Sequence, residues 1–97
     1  SPEWRKCRAS IINSKPLCEV SKYEKKYHAA KDVDHIIPIR YGGSPFDPAN
    51  LMPMTEFYHR RKTGLESHRS QPLVDWIETD HGLIPKRRED IIKLILR

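Results

Sequence analysis

The chain is expected to adopt an α+β fold: a short β-hairpin with a long structured loop, then a helix, with one helix before this unit and two after it. Residues 31–37 carry Val33, Ile36 and Ile37 and stop at Pro38, as a short half-buried strand would. Residues 41–50 are rich in turn formers, Gly42-Gly43 and Asp47-Pro48 among them. Apolar residues recur at three- and four-residue steps in three other stretches, the mark of helices with one buried face. A chain of 97 residues predicts one domain spanning 1–97, with a central unit near 31–67 and a helical extension over 70–97.

Ser1-Pro2-Glu3 reads as a helix start, with a capping hydroxyl, Pro at the first turn and an acid near the positive end of the dipole. Trp4, Cys7, Ile11 and Ile12 form its apolar stripe, so a helix from Pro2 to Asn13 is expected, ended before Pro16. Arg5, Lys6 and Arg8 ride on it, facing either an anionic partner or water. Lys22 to Lys31 interleaves Tyr23, Tyr27 and His28 with lysines, which suits phosphate contact and base stacking and equally suits a solvated surface.

The strand over Lys31–Ile37 is followed by loop residues 41–45 and a single turn in which Asp47 caps and Pro48 sets φ; a return strand is expected at Leu51-Met52-Pro53. Thr55 then caps a helix running to about Ser67, with Glu56 near its start and His59 within its second turn. Two more helices are expected. One runs from Pro72 to about Asp80 with Leu73, Trp76 and Ile77 on one face and His81-Gly82 as terminator. The other runs from Pro85 to Leu96 on Ile91, Ile92 and Ile95, with a stripe wide enough to pack in the core or against a second protomer.

Lys plus Arg number 18 against 13 Asp plus Glu, a formal charge of +5, and all of the excess lies in residues 1–31, with eight bases and three acids. That balance favours an anionic partner such as nucleic acid. No run approaches the roughly 18 apolar residues of a membrane span and no signal-peptide core is present, so a soluble, cytoplasmic protein is expected. Cys7 and Cys18 are too few for a disulfide framework and read as small buried residues.

The chemistry concentrates in Asp34-His35, Gly42-Gly43, Asn50-Leu51, His59 and Lys62-Thr63, with fourteen residues between His35 and Asn50 and eight between Asn50 and His59. This constellation resembles the HNH motif of the ββα-metal endonucleases, and the resemblance covers residues 4–69. It implies that His35 is a general base, that Asp34 and His59 hold one divalent ion, and that Asn50 braces the loop. A carboxylate with an imidazole leaves most of the coordination sphere to water and phosphate oxygens, which favours Mg²⁺ or Mn²⁺, with Zn²⁺ or Ni²⁺ as alternatives. Adjacent strand residues point to opposite faces, so Asp34 and His35 can serve one site only where the strand ends or bends. Many such domains clamp a structural zinc with two Cys-x-x-Cys knuckles. The corresponding positions here are Cys18, Ser21, Thr55 and Tyr58, so no structural zinc is expected, and packing by Tyr58, Phe57, Val20, Tyr23, Leu73 and Trp76 is expected instead.

The resemblance therefore implies a metal-dependent DNA endonuclease, and a compact basic chain with no long recognition insert implies low sequence specificity. Arg5, Arg8, Arg60, Arg61 and Lys62 are the candidate backbone-gripping residues, weighed against an ordinary helix surface. Lys86-Arg87-Arg88 beside Glu89-Asp90 reads as a local charge network. A non-catalytic DNA-binding module and a toxin-type nuclease stand as alternatives, and small phage proteins of this kind acting beside packaging machinery or as homodimers are a further partner class.

Overall fold

The computed structural model describes residues 1–97. The elements in order are α1 (Pro2–Ser14), α2 (Glu19–Tyr23), β1 (Asp32–His35), β2 (Leu51–Met54), α3 (Glu56–Glu66), β3 (Trp76–Thr79), β4 (Gly82–Pro85) and α4 (Arg88–Leu96), with single 3₁₀ turns at Ile39–Tyr41 and Pro48–Asn50. No helix is long and apolar enough to cross a membrane.

α1 starts as its sequence dictates, with the Ser1 hydroxyl accepting from Trp4 N at 3.2 Å and Pro2 at the first turn. β1 and β2 pair antiparallel with His35 opposite Leu51 and Asp32 opposite Met54. Strand alternation gives this hairpin two unlike faces. Val33 and Leu51 pack with Ile11 under Trp4, Cys7 and Ile12 of α1. Met52 and Met54 point the other way, into the main core with Cys18, Val20, Ile36, Ile37, Val74, Ile91, Ile92 and Ile95.

α3 begins at the expected cap, where the Thr55 hydroxyl accepts from Tyr58 N at 3.3 Å. Around it, the four knuckle positions lie in contact. Cys18 Sγ accepts from Ser21 N at 3.4 Å and lies 3.9 Å from the Thr55 hydroxyl, and these contacts lower the thiol's pKa against the opposing effect of burial. Of the side chains expected to replace a zinc clamp, Val20 is buried and Tyr58 and Leu73 pack on the core. Phe57, Tyr23 and Trp76 are 67%, 49% and 41% exposed and do not contribute as expected.

The helix expected over Pro72–Asp80 is not formed; residues 76–85 make a second hairpin, β3–β4. Trp76, Ile77 and Thr79 are strand formers, and Gly82 takes φ +122°, a backbone that closes a turn and that side-chain-bearing residues rarely adopt. Docking reinforces the choice: Leu83 N donates to Gly42 O at 2.8 Å and Ser44 N donates to Leu83 O at 2.8 Å, adding a short parallel bridge to the loop after β1. A Cβ on Gly82 would stand 2.8 Å from Ser44 Cα, so the contact requires glycine. α4 begins at Arg88, three residues later than expected, and buries Ile91, Ile92 and Ile95 in the core of its own chain. Arg88 is not part of a local network. It pairs with Glu19 at 2.6 Å and donates to the carbonyls of Pro48, Ala49 and Leu51, while Arg87 pairs with Asp90 at 2.9 Å.

Candidate functional site

β1 carries Asp32 and Asp34 on one face and Val33 and His35 on the other, because side chains alternate along a strand. The acidic face looks at α3. Asp34 Oδ1 lies 3.3 Å from His59 Nε2, and Asp32 Oδ2 lies 3.7 Å from the same ring's Nδ1. The imidazole is thus flanked by a carboxylate at each nitrogen. The hydrogen bond to Asp34 is the main cause that raises the His59 pKa above 6.5, with the charges of Asp34 and Asp32 adding and partial burial and Lys62 opposing.

Behind this pair lies Lys62, whose side chain is 1% exposed. Its ammonium is 2.7 Å from Asp34 Oδ2 and 2.6 Å from Glu66 Oε2, and donates to His35 O at 3.1 Å. The contact with Asp34 is an ion pair out of line for a hydrogen bond, and no hydrogen bond reaches that oxygen. Lys62 therefore is not a DNA-gripping surface residue. It stands three residues after His59 and four before Glu66, on the helix face turned to the hairpin.

On the other face, the His35 ring stacks on Trp4 with centroids 4.7 Å apart and planes at 30°. Its Nε2 lies 3.0 Å from the Pro45 carbonyl oxygen. A carbonyl only accepts, so Nε2 carries the proton in the neutral ring and Nδ1 is left with a free lone pair. The loop that presents Pro45 is held by Asn50. Its Oδ1 accepts from Ile37 N at 2.7 Å, and its Nδ2 donates to Ile37 O at 3.0 Å and to Ser44 O at 2.9 Å. A Cβ on Gly43 would lie 1.7 Å from Ile37 O, so only glycine lets the loop close this tightly.

The structure thus brings Asp34 and His59 together, adds Asp32 and Lys62 to them, and places His35 with Trp4 and Pro45 on the opposite face, at the last residue of β1, so the strand ends where acid and imidazole adjoin. Among solved structures, the chain is similar to the HNH endonuclease of the deep-sea thermophilic bacteriophage GVE2, solved with a manganese ion. The two are 30% identical with a TM-score of 0.57, and the likeness covers 72% of this chain and 78% of that one. The chain belongs to the HNH endonuclease family. No family model matches it, and no curated protein does.

Within an HNH chain, the donor set around His59 can be tested for its fit to a divalent ion. Adjacent ligand atoms on an octahedral ion with bonds of about 2.1 Å are about 3.0 Å apart, and Nε2 and Oδ1 at 3.3 Å are close to that spacing. Asp32 at Nδ1 stands where a carboxylate commonly fixes the ring orientation of a ligating histidine. Nowhere do three or more His, Cys, Asp or Glu side chains converge as a protein-only metal cage. The Thr63 hydroxyl donates to His59 O at 3.0 Å. The residues fit an open two-ligand site.

The arginine candidates separate. Arg5 is exposed on α1. Arg8 donates to Lys31 O at 2.5 Å and Arg60 pairs with Glu56 at 2.6 Å. Arg61 donates to Ile95 O at 2.6 Å and Arg97 O at 2.9 Å, tying α3 to the end of α4. Arg60 also lines, with Lys31, Asp32, Glu56, His59 and Thr63, an open depression beside the acidic face. Sequence reasoning missed Asp32, Trp4 and the Pro45 carbonyl. The signal for Asp32 was its two-residue spacing from Asp34, which puts both on one strand face.

Proposed function

We propose that this chain is a divalent-metal-dependent DNA endonuclease with His35 as general base and Asp34 and His59 as the metal-holding pair. The observation that carries the reading is the His35 Nε2 to Pro45 carbonyl contact at 3.0 Å, which in the neutral ring directs the proton to Nε2 and leaves the Nδ1 lone pair free, on a ring stacked against Trp4. His35 Nδ1 takes a proton from water as that oxygen bonds to phosphorus, and the bond from phosphorus to the 3′ oxygen breaks. The departing oxygen takes a proton from solvent water, and the products are a 5′-phosphate and a 3′-hydroxyl. A bound Mg²⁺ or Mn²⁺ supplies neutralisation of the charge that grows on the phosphate and the departing oxygen. Asn50 contributes by holding the loop that orients His35, and Asp32 by orienting His59.

DNA as substrate is supported by the family and by the positive excess in residues 1–31, where Arg5 and Lys6 are exposed on α1. Low sequence specificity is supported by the compactness of the chain, with a radius of gyration of 12.6 Å. Supercoiled plasmid incubated with Mn²⁺, Mg²⁺ or EDTA, beside a His35→Ala variant, tests the reading. Metal-dependent relaxation or linearisation that the variant lacks is expected. Binding without cleavage in any metal would make the chain a DNA-binding module instead.

A further inference from the structure

We propose that Lys62 is a positioning residue that confines Asp34 to one metal-facing oxygen and thereby makes the site prefer a small octahedral divalent ion over Ca²⁺. The inference rests on the assignment of Asp34 and His59 as the metal-holding pair.

A lysine side chain at 1% exposure is costly to bury and persists only where its charge is matched. Here the match is two carboxylates, Asp34 and Glu66, themselves 10% and 12% exposed, together with the His35 carbonyl. The consequence for Asp34 is that its two oxygens are not equivalent. Oδ1 faces His59 Nε2 at 3.3 Å, on the open side of the strand, whereas Oδ2 faces the Lys62 ammonium at 2.7 Å. A divalent cation brought onto Oδ2 would stand against a fixed positive charge in a poorly solvated place, so that oxygen is closed to it.

Ion size then decides the selectivity. Mg²⁺ and Mn²⁺ are content with single carboxylate oxygens and several waters, while Ca²⁺ gathers more oxygens at longer distance and readily takes a carboxylate through both. A lysine that only neutralised charge would change the affinity of every divalent ion by the same factor. A lysine that blocks one oxygen changes the ratio between them.

Calorimetric titration of the full chain with Mn²⁺ and with Ca²⁺, unaltered and as Lys62→Met, reads that ratio. The preference for Mn²⁺ over Ca²⁺ is expected to fall by about tenfold or more in the variant, since the freed oxygen serves the larger ion. An unchanged ratio in a variant with a native circular dichroism spectrum would overturn the proposal. Should Lys62→Met fail to fold, a crystal structure of the unaltered protein with Mn²⁺ decides: Asp34 on the ion through Oδ1 alone is expected, and Oδ2 or both oxygens on the ion overturns the proposal while leaving the metal assignment intact. No uptake of Mn²⁺ by the unaltered protein would remove the metal assignment and the proposal together.

Discussion

The two faces of β1 differ in kind. Towards α3, Asp32 and Asp34 meet His59, Lys62 and Glu66, so the surroundings are ionic; towards α1, His35 and Val33 meet Trp4, Ile11 and Leu51, so they are aromatic and aliphatic. A four-residue strand thereby sorts its two carboxylates from its imidazole by alternation alone. The two carboxylates lie with the imidazole of His59 and the ammonium of Lys62, and the His35 ring lies on the other face against Trp4. The two faces communicate through backbone, since Lys62 holds the His35 carbonyl and Asn50 holds Ile37 and Ser44 around the turn.

Substitutions can separate the faces. The largest effect is expected for His35→Ala, a loss of about 10² to 10⁴ in cleavage rate with the metal-holding face unaffected, measured by plasmid nicking in Mn²⁺. Next comes Lys62→Leu, which strands two nearly buried carboxylates. A loss of about 3–5 kcal/mol is expected in urea unfolding without metal, and a loss below 1 kcal/mol would mean the ion pairs are not buried as described. Asn50→Ala leaves the Ile37 and Ser44 backbone groups unpaired and is expected to cost about 2–3 kcal/mol and to slow cleavage, because the loop bearing Pro45 is no longer held.

The smallest expected effect is that of pH on the acidic face. Because the folded pKa of His59 is raised, its bond to Asp34 stabilises the metal-free protein fully below about pH 6.5 and is lost as pH climbs through the raised value. A proton on Nε2 competes with a cation for the same atom. Mn²⁺ affinity is therefore expected to rise over the range in which the metal-free melting temperature falls, and parallel movement of the two would contradict the assignment.

Much of the hairpin, α3 and its Thr55 cap could be read from residues, because turn chemistry at Gly42-Gly43 and Asp47-Pro48 and the cap are local signals. β3–β4 could not. Leu73, Trp76 and Ile77 fit a helical face as well as they fit a strand, and what decides between them is the distant contact of Leu83 with Gly42 and Ser44. Within the site, Asp34, His35, Asn50 and His59 stood out by spacing. Lys62 was misjudged as surface because lysine is rarely buried, and its burial becomes intelligible only with Asp34 and Glu66 in place around it. Trp4 was read as core and is also the stacking partner of His35.

The separation of the two faces is tested most directly by titrating Mn²⁺ into the His35→Ala variant by calorimetry, alongside its plasmid cleavage. The variant is expected to bind Mn²⁺ with the affinity of the unaltered protein and to cleave nothing. Loss of Mn²⁺ binding would place His35 among the metal-holding groups, and surviving cleavage would remove it as the base; either result contradicts a strand with one face for the ion and the other for the proton.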